Sequence, residues 1–459
     1  MLMAGPLVAH AAALDGAGLG LIWGVPFAGM LLSIALFPLL APTLWHHHFG
    51  KIAAAWSLAF VVPFTLQFGG PMAAQQISHA LLIEYIPFVL LLITLYTVAG
   101  GVCVLGNLHG SPLLNTGLLA IGTVLASIMG TTGAAMLMVR PLIRANDNRQ
   151  HTTHTMVFFI FLVANAGGAL TPLGDPPLFL GFLKGVDFGW TVVNMMAPTL
   201  FLCALLLALF YRLDQYFYTK AREERPPEMD PTPDSRVRLI GKANLVLLAG
   251  VIGAVLLSGS WNPGIAFDVL GNRIELQGIV RDVLLIIITL ISLRITPDAA
   301  HQGNDFNWGP MQEVAKLFLA IFITIIPMIA ILRAGEAGAL QSVVRLTLHA
   351  DGTANNAMYF WMSGLLSGFL DNAPTYLVFF NLAGGDAQAL MANAGTLVAI
   401  SAGSVFMGAL SYIGNAPNFM VKAIAESRGI VMPGFFAYMG WSVSILVPLF
   451  LILTVVFFV

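Results

Sequence analysis

Gly168-Ala169-Leu170-Thr171-Pro172-Leu173-Gly174-Asp175-Pro176-Pro177 interrupts a hydrophobic run, and the same break returns as Gly408-Ala409-Leu410-Ser411-Tyr412-Ile413-Gly414-Asn415-Ala416-Pro417. The offset of 240 residues also carries Thr131-Thr132-Gly133-Ala134 onto Asp371-Asn372-Ala373-Pro374. Backbone groups freed by a break find no water inside a bilayer. A helix is therefore interrupted at depth only where protein or a polar cavity satisfies them. Interrupted helices at matching places in two halves point to the binding site of a secondary transporter. The chain is expected to move a small solute or ion across a membrane.

Composition supports that setting. Of 459 residues, 58% are hydrophobic and 9% charged, with a mean hydropathy of +0.86. Soluble domains carry about 25% charged residues, so lipid is the expected solvent for most of this surface. A net charge of −2 gives no footing for nucleic acid. Cys103 and Cys203 lie in apolar runs and read as small hydrophobes rather than a disulfide or redox pair. No G-x-x-x-x-G-K-[ST] phosphate loop occurs, so an ATP-driven pump has no support. Neither enzyme activity nor an organic cofactor is expected.

A spanning helix needs roughly 20 apolar residues. Such stretches occur at 19–40, 52–68 and 81–105. Two shorter arms, 113–129 and 134–143, flank a turn at 130–133 and predict a re-entrant hairpin. The stretch 155–184 predicts a span broken near 171–177, and 191–211 spans again. The polar segment 212–242 contains Glu223-Glu224-Arg225-Pro226-Pro227 and Asp230-Pro231-Thr232-Pro233-Asp234, and reads as a solvated linker. Spans then recur at 243–257, 279–295 and 314–332. A hairpin near 355–383, a broken helix near 395–426 and a last span near 435–458 follow. The apolar residues 1–20 lack a basic stretch and read as a short extracytoplasmic leader.

Positive charges orient the layout. Arg212, Lys220, Arg222, Arg225, Arg236, Arg238 and Lys242 crowd the linker, which the positive-inside rule places in the cytoplasm. Counting spans from there puts Lys51, Arg140, Arg144, Arg149, Arg294, Lys422 and Arg428 on the same side. Lys184, Arg273, Arg281, Arg333 and Arg345 fall outside. The expected architecture is an all-α polytopic membrane protein with two inverted-topology repeats, 1–211 and 243–459, joined by the linker 212–242. Each repeat holds one re-entrant hairpin and one broken helix, and the hairpins open to opposite sides.

A break leaves carbonyls at one half-helix end and amides at the other, suited to a cation and an anion respectively. Side chains there can complete an oxygen shell: Thr171 and Asp175 in one half, Ser411 and Asn415 in the other. The hairpin tips add Thr131, Thr132, Asp371 and Asn372. With no Cys or His among them, the set suits sodium or a proton better than a transition metal. Asp175 and Asp371 stand out because carboxylates at bilayer depth usually lie on ion pathways, and one carboxylate can take a proton or a sodium ion in turn. The competing reading makes each aspartate a half-helix cap, and each hydroxyl a partner of its own helix's carbonyls.

Glu84 and Glu313 open corresponding spans, and Lys316 lies three residues beyond Glu313 on one helical face. An interfacial ion pair is the plain reading; a gate or second proton site is the functional one. His46-His47-His48 reads as surface decoration, whereas His151 and His154 flank the first broken helix, where histidines can sense pH near neutrality.

At these motifs the chain resembles a known family. Asn165-Ala166-Gly167-Gly168-Ala169-Leu170-Thr171-Pro172-Leu173-Gly174-Asp175 is similar to a signature of D-type sodium/proton antiporters, and Phe369-Leu370-Asp371-Asn372-Ala373-Pro374-Thr375 to their hairpin tip. These belong to the ion-transporter superfamily, with citrate, arsenite and dicarboxylate carriers, and the likeness runs from about Glu84 to Trp441. The resemblance implies a scaffold and a mobile transport domain in an elevator-type homodimer of a bacterial inner membrane. It also implies sodium at Asp175, Asp371 and Asn372. The first tip, Gly130-Thr131-Thr132-Gly133, departs from relatives that place Asn or Asp there, and neither tip has the Ser-Asn-Thr of the dicarboxylate carriers. Sodium/proton antiport is the leading expectation, since no arginine lies in the breaks or tips to clamp a carboxylate. A cation- or proton-coupled citrate or organic-anion carrier is the alternative, and a passive channel the third.

Overall fold

The computed structural model describes residues 14–220 and 235–459. Most of the expected leader and residues 221–234 of the linker, Arg222 and Arg225 among them, lie outside them. In chain order the helices and strands are α1 (Val25–Leu40), α2 (Pro42–Phe68), α3 (Gly70–His79), α4 (Ile86–Gly100) and β1 (Cys103–Asn107). Then come α5 (Pro112–Met129), α6 (Thr131–Ala145), α7 (Thr153–Leu162), α8 (Pro176–Leu183), α9 (Phe188–Lys220) and β2 (Ser235–Ile240). The next group is α10 (Ala243–Ser260), β3 (Ala266–Val269), β4 (Asn272–Glu275), α11 (Leu276–Ile295), α12 (Asp298–Gly303), α13 (Gly309–Thr324) and α14 (Ile326–Arg333). The last is α15 (Gln341–Leu346), α16 (Asn356–Phe369), α17 (Asn372–Leu382), α18 (Ala387–Ala392), α19 (Ala394–Phe406), α20 (Ala416–Ser427) and α21 (Phe435–Phe457). Among the described residues nine helices are long and apolar enough to cross a membrane, ten if the bent pair α13–α14 is one span. The protein is a polytopic helical membrane protein.

Proline in the first turn opens α1, α2, α3, α5, α8, α13, α14 and α20. The missing amide there is one that no helix could have paired. Burial sorts the helices. The stretch Thr153–Leu170 is 89% buried, against 17% for α2, 28% for α10 and 22% for α11. A helix apolar all round belongs inside. The first interrupted helix is therefore the centre of the protein, and α2, α10 and α11 turn apolar faces such as Leu58, Val246 and Leu290 outward.

Several expected boundaries shift. The third span starts at Gly70 rather than 81, because a π-helical turn at Ala80–Tyr85 joins α3 to α4 in one 31-residue helix, Gly70–Gly100. Glu84 thus lies inside this helix instead of opening it. The span's expected end at 105 is instead β1, which pairs antiparallel with β2 from the linker's far end. Linker residues 212–220 continue α9 as helix. β3 and β4 form a second small ribbon. α13 and α14 meet at 45° about Ile325.

Side-chain contacts mark the two ends of the bundle. At one, Arg144 donates to the carbonyls of Gly106 (3.3 Å) and Val104 (2.6 Å) on β1, beside the linker strand, and Arg140 pairs with Asp305 at 3.0 Å. At the other, Arg333 closes α14 and donates to Asn381 Oδ1 at 2.8 Å, near the open end of the α16–α17 hairpin. The α5–α6 hairpin opens at the first end and the α16–α17 hairpin at the second, so the hairpins reach inward from opposite ends.

Candidate functional site

Each hairpin arm ends by leaving carbonyls that its own helix cannot pair. In α5 that carbonyl is Ser127 O, and it accepts the Thr171 hydroxyl at 2.5 Å. In α16 it is Gly368 O, which accepts the Ser411 hydroxyl at 2.5 Å. Each hydroxyl also accepts from an amide two residues on, Leu173 N at 3.1 Å and Ile413 N at 3.2 Å. Ser127 donates back to Gly167 O, and Ser367 to Ser404 O at 2.6 Å. The Thr171 and Ser411 hydroxyls thus staple each break to its own hairpin in the same way. Close backbone approach completes the match. A Cβ on Gly174 would lie 2.2 Å from Gly168 O, and one on Gly414 2.5 Å from Gly408 O, distances only glycine escapes.

The tips are built differently. Gly130 turns the first hairpin at φ +82°, backbone that L side chains resist. Thr131 N then donates to Gly174 O at 2.9 Å, fastening tip to break. The second tip turns through extended Leu370 and Asp371, and the Asp371 carboxylate caps α17 by accepting from Ala373 N at 3.1 Å. The capping role weighed for both aspartates therefore falls to Asp371, which is half-buried.

Asp175 behaves otherwise. It stands at the N-cap of α8 yet makes no side-chain cap bond. Pro176 and Pro177 have no amide to offer, and Leu178 N goes to the Asp175 carbonyl at 3.1 Å. The carboxylate turns instead to three other elements. Thr131 Oγ1 donates to Oδ1 at 3.2 Å, Asn372 Nδ2 donates to Oδ2, and Asn415 Nδ2 approaches Oδ1 at 3.4 Å. Asp175 is 1% exposed, and among the described residues no lysine, arginine or histidine pairs with it. Asn372 Oδ1, in the same place, is buried with no hydrogen-bond partner.

Of the expected site residues, Thr131, Asp175, Asn372 and Asn415 come together. Thr171 and Ser411 stand beside them as staples. Asp371 is adjacent in sequence but spent on its cap, and Thr132 is half-buried beyond Thr131. The acids read as an interfacial ion pair, or alternatively as a gate or second proton site, lie elsewhere. Glu84 is buried against Lys184 and 3.8 Å from His79. Lys184 closes α8, nine residues from Asp175 and so about 13.5 Å away at 1.5 Å per residue. Glu313 accepts from Trp45 Nε1 at 3.3 Å while Lys316 lies 5.3 Å from the Phe49 ring. The expected Glu313–Lys316 pairing gives way to these partners. His154 Nε2 donates to the Asp214 carboxylate at 2.8 Å in a buried cluster with Arg149 and Asn115, away from the breaks. Asn165 and Asn418, fully buried, join the two breaks directly. The sequence marks Asn165 only as the first residue of the antiporter-like signature and gives no signal for Asn418.

A helical membrane protein whose two interrupted helices and two hairpin tips converge on one buried carboxylate is a transporter by class. The chain belongs to a family described as "Putative citrate transport", which matches residues 16–458. No curated protein matches it.

Proposed function

We propose that the protein is a secondary active transporter that exchanges sodium for protons at Asp175 by alternating access. One observation carries this reading: a fully buried carboxylate held only by neutral donors. A buried charge is stable only when paired or neutralised, so Asp175 calls for a proton or a cation. The unpartnered Asn372 Oδ1 supplies a second oxygen, and the Thr131 hydroxyl and Asn415 carbonyl can turn theirs inward. Hard oxygen donors suit sodium. Among the described residues no group of three His, Cys, Asp or Glu gathers to suggest another metal. In this reading the linker end faces the cytoplasm of a bacterial inner membrane, and the repeats are inverted across it.

Citrate or a related organic anion is the second reading, favoured by the family's description. An anion at this site would meet the Asp175 carboxylate, so it would enter with a cation or proton that neutralises that charge. Everted vesicles separate the two. Proton release on adding sodium or lithium, lost in Asp175→Asn, is the expected result. Saturable citrate uptake without cation-driven proton flux would replace the first reading by the second.

A further inference from the structure

We infer that Asn165 and Asn418 form a buried amide bridge that joins the two interrupted helices and positions Asn415 on Asp175, so that occupancy of the site is felt by both repeats at once. The inference rests on the proposed role of Asp175. Asn165 Nδ2 donates to Asn418 Oδ1 at 2.7 Å and to Ile160 O, on α7, at 2.8 Å. Asn418 Nδ2 donates to Gly408 O at 2.8 Å and Ser411 O at 2.9 Å, the freed carbonyls of the second break. Asn165 Oδ1 faces Asn415 Nδ2 at 3.3 Å. A carbonyl of each interrupted helix is thereby held through the same pair of side chains, and neither amide has exposure to water.

The internal repeat makes the pair distinctive. Closing a break uses equivalent residues in both halves, Thr171 with Ser411 and Gly174 with Gly414. The same offset of 240 sets Asn165 against Val405 and Asn418 against Leu178. The first break forms without a counterpart of Asn418 and the second without a counterpart of Asn165, so the bond between the two lies outside the framework the halves share and concerns their junction.

Asn415 shows how the coupling works. Its Nδ2 carries two hydrogens and faces three acceptors: Ala164 O at 3.0 Å, Asn165 Oδ1 at 3.3 Å and Asp175 Oδ1 at 3.4 Å. When Asp175 holds a proton or a cation, Oδ1 is a poorer acceptor, and the amide shifts towards Ala164 and Asn165. Asn415 is the N-cap residue of α20, so this shift acts on the second half-helix. Asn165 and Asn418 are positioning residues; they do not touch the ion.

The variants to make are Asn165→Val and Asn418→Leu, each importing the residue of the other repeat, with Asn165→Ser and Asn418→Ser as milder changes should the apolar ones not fold. Vesicle transport gives the apparent KM for sodium and the pH midpoint. The purified full chain gives the sodium or citrate concentration at half the ligand-induced rise in melting temperature, which needs no turnover. The expected result is at least a tenfold rise in both concentrations and a shifted pH midpoint. The double variant should be no worse than the worse single, as for residues in one network. Variants that melt lower yet keep the wild-type KM, half-rise concentration and pH midpoint would reduce the bridge to packing and overturn the inference. If the wild type shows no cation-driven flux but takes up citrate, the proposed function falls, and the bridge is judged on the citrate values by the same criterion.

Discussion

The two hairpin-and-break units share a framework and differ in chemistry. Hydroxyl staples from Thr171 and Ser411, and close glycine contacts at Gly174 and Gly414, occur at matching places. The site does not repeat. Its carboxylate comes from the first break, its hydroxyl from the first tip, and its amides from the second tip and second break. A repeated framework brings four unlike elements to one point, and divergence between the halves decides what that point can bind. Two aspartates of similar appearance in sequence acquire separate roles: Asp371 caps a helix and Asp175 faces its neighbours' polar atoms.

The largest test of that contrast exchanges the two acids. Asp175→Asn removes the only carboxylate of the cluster and is expected to lower coupled transport in vesicles more than a hundredfold. Asp371→Asn keeps an N-cap-competent side chain and is expected to cost less than tenfold. Equal losses would mean that both acids share the ion, and the division of roles would fail. Proton competition is the next largest effect. If proton and sodium use the same oxygens, the apparent KM for sodium rises as pH falls. The rise approaches tenfold per pH unit once Asp175 is mostly protonated, and it levels off at high pH. A KM independent of pH, measured with the gradient held constant, would place the two ions at different sites.

What the sequence discloses follows from where the determining contacts lie. The breaks are legible because glycine, proline and a hydroxyl act within a few residues, and the offset of 240 doubles the signal. Asp175 is legible as an acid in an apolar setting. The beginning of the Gly70–Gly100 helix is hidden because Gln75, Ser78 and His79 look like loop. The Ser78 and His79 side chains serve Asn272 on β4, which donates to Ser78 Oγ at 2.8 Å and faces His79 at 3.1 Å, while Gln75 offers it only its backbone carbonyl at 3.1 Å. β1 shares the composition of the helix before it, and its partner β2 lies more than a hundred residues away. The Asn165–Asn418 contact escapes for the opposite reason to the staples: comparing repeats highlights agreement, and these two residues depart from it, although Asn165 also opens the antiporter-like signature. The separate roles of Asp175 and Asp371 depend on Pro176, Pro177 and the shape of the second tip, which spacing alone does not convey.

The staples provide a smaller and more symmetric prediction. Thr171→Val leaves Ser127 O and Leu173 N without their partner, and Ser411→Ala does the same to Gly368 O and Ile413 N. Leaving buried backbone groups unpaired costs about 1–3 kcal/mol, so both variants should melt lower in detergent by similar amounts. A large loss for one and none for the other would show that the framework is not equivalent in the two halves.

The smallest expected effect lies at the tips, where the halves differ in backbone rather than side chain. Gly130 corresponds at the same offset to Leu370, which is extended at φ −118°. The nearest atom to a Cβ on Gly130 would be Leu173 O at 3.4 Å, an ordinary contact, so sterics with neighbours are minor. The cost of Gly130→Ala is then conformational. Holding an L residue at φ +82° and ψ 150°, a region essentially reserved for glycine, costs on the order of 1–3 kcal/mol, which should appear as a drop in melting temperature. Because Thr131 N reaches Gly174 O only from this turn, a small rise in the sodium KM should accompany it. Leu370→Gly meets no such constraint and should lose only part of a half-exposed side chain's packing, with the KM unchanged. If Gly130→Ala proves neutral in both measurements, the positive-φ turn does not define the first tip. The difference between the hairpins would then reduce to Asp371 and Asn372 alone.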